Sequence, residues 1–109
     1  MNSRDATYLE HIREAVAKID LYLDGLTEED FSKNSLVRDA VLRNLEVISE
    51  ASRRLSDELK GRHELVPWSN IAGAGNIYRH NYATVDIGIV WQTATAGLDL
   101  LRDVLSDEI

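Results

Sequence analysis

The sequence predicts an all-α bundle, and three observations carry that prediction. Apolar residues recur at three- and four-residue steps along most of the chain, the period of a helix rather than a strand. Residues that cap helices stand near the ends of those stripes. In 109 residues there are six glycines, one proline and one phenylalanine, too few turn-formers and aromatics for a sheet protein of many short strands.

The first helix is expected over about 5–24. Tyr8, Ile12, Ala15, Ile19 and Tyr22 form its stripe and Leu9, Val16 and Leu23 widen it. Ser3 or Asp5 is the candidate cap, and Gly25 suits the position just past the end. A short helix follows, with Thr27 as N-cap, Asp30 three residues on, and Leu26 and Phe31 as a hydrophobic staple. The longest stripe, Val37, Val41, Leu45, Ile48, Ala51, Leu55 and Leu59, predicts one helix over about 36–60, capped by Ser35. Leu36, Ala40 and Val47 give it a second apolar edge, which places it centrally. A loop over 61–66 leads to Pro67, which fits the start of a helix over about 68–80, where a missing N–H costs nothing. The last helix, about 86–106, begins at Asp86 and carries Ile87, Val90, Trp91, Ala94, Leu98, Leu101 and Leu105. The expectation is one domain over 1–109: four main helices plus one short helix.

Composition narrows the chemistry. With no cysteine, disulfides and thiolate zinc sites are excluded. The first sixteen residues are polar and carry acids, unlike a secretory leader. No apolar run approaches the roughly 18 residues of a bilayer span. A cytoplasmic protein without membrane attachment is the expectation. The net charge of −7 repels phosphate backbones, so any work on nucleic acid needs a local cationic patch or a second subunit that builds one.

Among the histidines, His11 and His63 have no His or Cys at ligand spacing and read as surface or boundary residues; no metal and no cofactor is called for. Gly73-Ala74-Gly75 lacks the third glycine, the preceding strand and the Lys-Ser/Thr of nucleotide loops, and reads instead as a narrow helix surface for close packing. His80 differs from the other two histidines. Arg79 precedes it, Asn76 lies one helical turn before it, and Tyr82 follows. An imidazole that exchanges a proton beside a fixed guanidinium that holds phosphate suits metal-free RNA cleavage. The alternative is that His80 and Tyr82 only finish the helix and pack on Trp68 or Trp91. On the long helix, Arg43, Glu50 and Arg54 share a face. It is either a solvated ion-paired surface or, set against 73–82, the missing cationic patch, with Glu50 orienting Arg79 or His80.

Trp68-Ser-Asn-Ile-Ala-Gly73, Asn76-Ile-Tyr-Arg-His80-Asn-Tyr82, Val85-Asp86 and Val90-Trp91 together resemble the signature of HepT-like proteins of the HEPN superfamily. Ile48-Ser49-Glu50-Ala51 is similar to that family's central-helix motif, with Ser49 in the usual glycine place. The resemblance spans nearly the whole chain. It implies a HEPN bundle that forms a homodimer around a shared cleft. The activity it implies is a metal-independent endoribonuclease toxin acting on RNA. The implied partner is a minimal nucleotidyltransferase antitoxin able to modify the motif tyrosine with AMP. Carried over by position, His80 is the catalytic histidine, Tyr82 the modification site and Asn76 the polar residue of the motif. Glu50 and Arg54, from the shared face of the long helix, are the candidate support residues. One position departs from the pattern: Gly75 stands where the family has its arginine, and Arg79, a turn later, is the candidate replacement. The alternative implied by that departure is an inactive or attenuated HEPN module that dimerises and binds the nucleotidyltransferase.

Overall fold

The computed structural model describes residues 2–109, and within them the fold is all-α, with seven α-helices in the order α1 (Ser3–Leu23), α2 (Glu28–Lys33), α3 (Ser35–Arg53), α4 (Asp57–Arg62), α5 (Trp68–His80), α6 (Ile87–Ala94) and α7 (Asp99–Glu108). Two single 3₁₀ turns, Tyr82–Thr84 and Ala96–Leu98, join α5 to α6 and α6 to α7. α3 is the centre: α1 and α5 lie along its length, and α2 and α6 touch it too. That position follows from its sequence. Val41, Leu45, Ile48 and Ala51 are buried in the stripe expected of it. Leu36 instead stands exposed at its start, outside the second apolar edge assigned to it.

The capping residues set the helix ends. Asn2, rather than Ser3 or Asp5, caps α1, its side chain accepting from the Asp5 N–H at 2.7 Å. Gly25 takes a positive φ of 76°, a conformation that a Cβ disfavours, and releases the chain from α1. Thr27 and Asp30 form the expected reciprocal capping box of α2, and Phe31 is fully buried against Trp91, ring centroids 5.4 Å apart. Asn34, not Ser35, caps α3.

Two helices expected to be continuous are divided. The stripe over 36–60 is interrupted after Arg53, because Ser56 starts a new helix, its hydroxyl accepting from the Leu59 N–H at 3.1 Å. The buried Asp5 carboxylate holds that corner, accepting from the Ser56 N–H at 2.8 Å and the Ser56 hydroxyl at 2.6 Å. Leu55 and Leu59 still reach the core across the break, so the apolar rhythm survives the change of direction. α4 runs on to Arg62, so the loop after it starts later than the expected 61. The expected 86–106 helix divides around Thr95–Gly97, where the Thr95 hydroxyl donates to the Trp91 carbonyl at 2.7 Å. Asp86 caps α6 as expected. No helix among the described residues is long and apolar enough to cross a membrane.

Candidate active site

The site is built on the face of α3 that looks out between α1 and α5. A helix advances 1.5 Å per residue, so Arg43, Glu46, Glu50 and Arg54 form a row about 16 Å long. α5 lies beside this row, and two contacts set its height. The Ser49 hydroxyl donates to the Ala72 carbonyl at 3.0 Å and accepts from the Gly75 N–H at 3.0 Å. Arg53 adds an Nη2 donor to the same Ala72 carbonyl at 2.7 Å. Side chains of α3 thus enter the backbone ladder of α5 at its middle turn.

This clamp explains the two glycines differently. A Cβ on Gly75 would stand 2.4 Å from Ser49 Oγ and 2.9 Å from Ser49 Cβ, so no side chain fits there in this packing. A Cβ on Gly73 would meet nothing within 4 Å, and Gly73 is exposed. The close-packing role expected of this stretch belongs to Gly75, and what approaches it is a serine side chain rather than a backbone. An arginine at 75 is therefore incompatible with Ser49 in its present place.

One turn beyond Gly75, Arg79 lies over α3. Its Nε donates to Glu46 Oε1 at 3.1 Å, and Arg43 Nη1 is 3.4 Å from the same oxygen. Glu50 does not orient Arg79 or His80 as expected. Its carboxylate is taken by Arg54, Nε to Oε1 at 3.0 Å, with Arg53 Nε 3.9 Å from Oε2. The hydrogen bond to Glu50, and charge at Tyr8 and Glu50, raise the Arg54 pKa further. The residue that positions Arg79 is Glu46, absent from the sequence-based set. Its signal was present: it lies three residues after Arg43 and four before Glu50, on the same face. Four arginines, 43, 53, 54 and 79, against Glu46 and Glu50 make this a locally cationic surface on an acidic chain.

His80 follows Arg79 but points about 100° away around the helix. It shares the solvent face of α5 with Asn76, and both are exposed; among the described residues no side-chain hydrogen bond joins them. Among the described residues neither His80 nor Tyr82, both exposed, forms a ring pair with a tryptophan: Trp68 donates its indole N–H to the His63 carbonyl at 3.0 Å, and Trp91 lies against Phe31. Tyr82 is 60% exposed and borders a hollow of about 240 Å³ whose other walls include Asp39, Arg43, Tyr78 and Arg79. Burial raises the phenol pKa of neighbouring Tyr78. The structure therefore brings Arg79, Tyr82 and the arginine row together, and leaves His80 and Asn76 on the adjoining open face.

The other histidines separate in role. His63 is no loose surface residue: its Nε2 is 2.7 Å from Glu108 Oε2, and both side chains are mostly buried. Arg62 reaches the other oxygen at 2.9 Å. The Arg62 hydrogen bond, then His63, hold the Glu108 carboxyl down at about 2. This cluster ties the end of α4 to the end of α7. His11 is exposed on α1 and stands at the edge of the α3 groove.

Comparison with known proteins gives a consistent answer. The family described as "Ribonuclease HepT-like" matches residues 12–107. A Methanocaldococcus jannaschii protein named as a gamma-glutamylcyclotransferase and, provisionally, an RNase is 32% identical over 96 residues. That alignment covers 88% of this chain and 43% of the relative, so the chain spans less than half of that protein. A protein of Caldanaerobacter subterraneus subsp. tengcongensis with a provisional RNase name is 37% identical, covering 79% of this chain and 77% of its own. The "Probable ribonuclease HepT" of Thermococcus cleftensis is 33% identical, with 87% and 86% covered. No solved structure matches the chain.

Proposed function

The chain belongs to the HepT-like ribonuclease family, and from that membership and the geometry above we propose that it is a metal-independent endoribonuclease. His80 acts as general acid/base and Arg79 as phosphate clamp. The observation that carries this reading is the Arg43–Glu46–Arg79 bridge: it fixes a guanidinium at the end of α5, one residue from an exposed imidazole, on the face where Arg43, Arg53, Arg54 and Arg79 gather. In the reaction, the 2′-oxygen bonds to phosphorus while its proton passes to the imidazole. The P–O5′ bond then breaks and the 5′-oxygen leaves with a proton from an imidazolium. Arg79, oriented by Glu46, stabilises the charge gathered on the phosphoryl oxygens. Because His80 and Arg79 point to different sides of α5, the substrate crosses the edge of that helix. A second copy packed along the Asn76–His80 face closes the cleft and contributes a second imidazole, so the working enzyme is a homodimer.

The physiological reading is a toxin held in check by a minimal nucleotidyltransferase antitoxin. Tyr82 is exposed enough to receive AMP, and a nucleotide there would sit beside Arg79 and block the clamp. A second reading, a non-catalytic module, is favoured by one observation: Ser49 closes position 75 to any arginine. The two separate on purified protein in a chelating buffer. The ribonuclease reading expects wild type to cut RNA. It expects His80→Ala to lose about 10²–10⁴-fold in rate, the usual worth of a positioned proton-transfer group. Wild type that cuts nothing, and is as harmless as His80→Ala when expressed without a partner, establishes the module instead.

A further inference from the structure

One feature of the cationic face is not used by the chemistry above: its far wall is aromatic. α1 contributes Tyr8 and His11, whose rings stand edge-to-face, 5.4 Å apart at 90°. The Arg54 guanidinium lies 5.9 Å from the centre of the Tyr8 ring. Tyr8 and His11, with Arg43 and Arg79 across the groove and Val47 and Ala51 as its apolar floor, line an open pocket of about 170 Å³. That is below the volume of sites for drug-sized ligands, and of the scale of a single planar ring.

The composition of this pocket selects its ligand. Aromatic rings beside arginines are how proteins hold unpaired bases, because every base offers a π-face and the backbone beside it offers phosphate. Glu46 and Glu50 also line the groove, and because Arg43 and Arg79 share Glu46 Oε1, Glu46 Oε2 is left as an acceptor for the amino edge of a base, which a bare anion would have no use for. The floor is apolar, which also disfavours a free inorganic anion. A duplex does not suit it, since its bases are paired and stacked out of reach.

We propose that this groove is a subsite for one unpaired base of single-stranded RNA. One ring of the perpendicular Tyr8–His11 pair stacks on the base while the other meets its edge, and Arg43 and Arg79 hold the phosphate next to that base. The inference deepens the ribonuclease reading and rests on it. Arg79 belongs to both places, so a base seated between α1 and α5 leaves its phosphate on Arg79, from where the strand passes over the edge of α5 to His80. The subsite thus sets the cut near the nucleotide it holds.

The test uses the full-length protein and a short, mixed-sequence 2′-O-methyl oligoribonucleotide, which has no free 2′-hydroxyl and is bound without being cut. His11 is exposed, so His11→Ala keeps the fold, and it is expected to weaken binding about tenfold, the scale of one stacked base. Tyr8→Phe, which keeps the ring, is expected to bind close to wild type, and Tyr8→Leu to lose affinity as His11→Ala does. Cleavage of unmodified RNA by wild type is measured in parallel. If wild type cuts RNA while His11→Ala and Tyr8→Leu bind as tightly as wild type, the subsite is wrong and the ribonuclease stands. If wild type binds the oligonucleotide, loses it on His11→Ala, and cuts nothing, the subsite stands and the ribonuclease reading falls. No binding by wild type, or displacement of the oligonucleotide by inorganic phosphate alone with His11→Ala unaffected, overturns the subsite.

Discussion

Replacing Gly75 by alanine sets two physical effects against each other. Alanine is the better helix former by about 1 kcal/mol, so at an open helical position the change would stabilise. At this position the new Cβ would lie 2.4 Å from Ser49 Oγ and 2.9 Å from Ser49 Cβ. Ser49 must move, and with it go the hydrogen bonds to the Ala72 carbonyl and from the Gly75 N–H. Each is worth about 1 kcal/mol net, and overpacking against α3 costs about 1–3 kcal/mol more. The balance is a destabilisation of about 2–4 kcal/mol. A chain of this length loses about 4 °C in Tm per kcal/mol, so thermal unfolding followed by helical circular dichroism should show a fall of roughly 8–16 °C. The sharper test is the sign. In a Ser49→Gly background both close contacts vanish, and Gly75→Ala should raise Tm by about 4 °C. Ser49→Ala does not serve, because its Cβ remains within 2.9 Å. If Gly75→Ala is neutral or stabilising with Ser49 present, or stays as costly with Gly at 49, the clamp does not exist as described. The same logic governs an arginine at 75: it is accepted only together with Ser49→Gly, and that double variant, compared with Ser49→Gly alone, shows whether Arg79 already does the work.

Stability should also report the Glu108 cluster. The folded carboxyl sits near 2 against an ordinary 4.5, so its contribution is complete above the ordinary value and lost as pH falls towards 2. That contribution is about 2–3 kcal/mol after screening. Glu108→Gln should flatten the acid limb of the stability–pH curve in denaturant titrations, and an unchanged limb would count against the assignment. Asp5→Ala leaves the Ser56 N–H and hydroxyl without their acceptor at the α3–α4 corner, and a loss of about 2–4 kcal/mol is expected in the same titrations. Glu46→Gln keeps the shape of the Arg43–Glu46–Arg79 bridge and removes its charge. RNA cleavage should fall through loss of Arg79 positioning, with Arg79→Ala losing more, about 10²–10³-fold; Glu46→Gln cutting as wild type would remove Glu46 from the site.

Much of the molecule was legible in the chain itself. The stripes on α1, α3 and α6, the Thr27–Asp30 capping box, the Asp86 cap and the Pro67 start of α5 all depend on residues within a few positions of one another. Local periodicity and capping chemistry decide such features, so a linear reading finds them. The resemblance in the 68–91 segment pointed to the family in the same way, because motif residues are read in order.

What escaped the sequence depends on distant pairs. Asp5 anchors the α3–α4 corner at Ser56, 51 positions away in the chain, and nothing near Ser56 announces that contact. Glu50 pairs locally with Arg53 and Arg54, but that Arg79 lands on Glu46 follows from the height at which α5 lies on α3; a face shared along one helix does not reveal which residue of a neighbouring helix lands opposite. Gly75 was recognisable as a departure, but only the packing showed that Ser49 fills the space a side chain would need. The helical segments, the central place of α3 and the segment that carries the chemistry can be read along the chain, because they follow from backbone period and neighbour-to-neighbour hydrogen bonding; the breaks after Arg53 and around Thr95–Gly97 cannot. Which charges meet between helices, which glycine is obligatory and which face of α5 is left to solvent depend on packing, because each is set by the rotation and height of one helix against another.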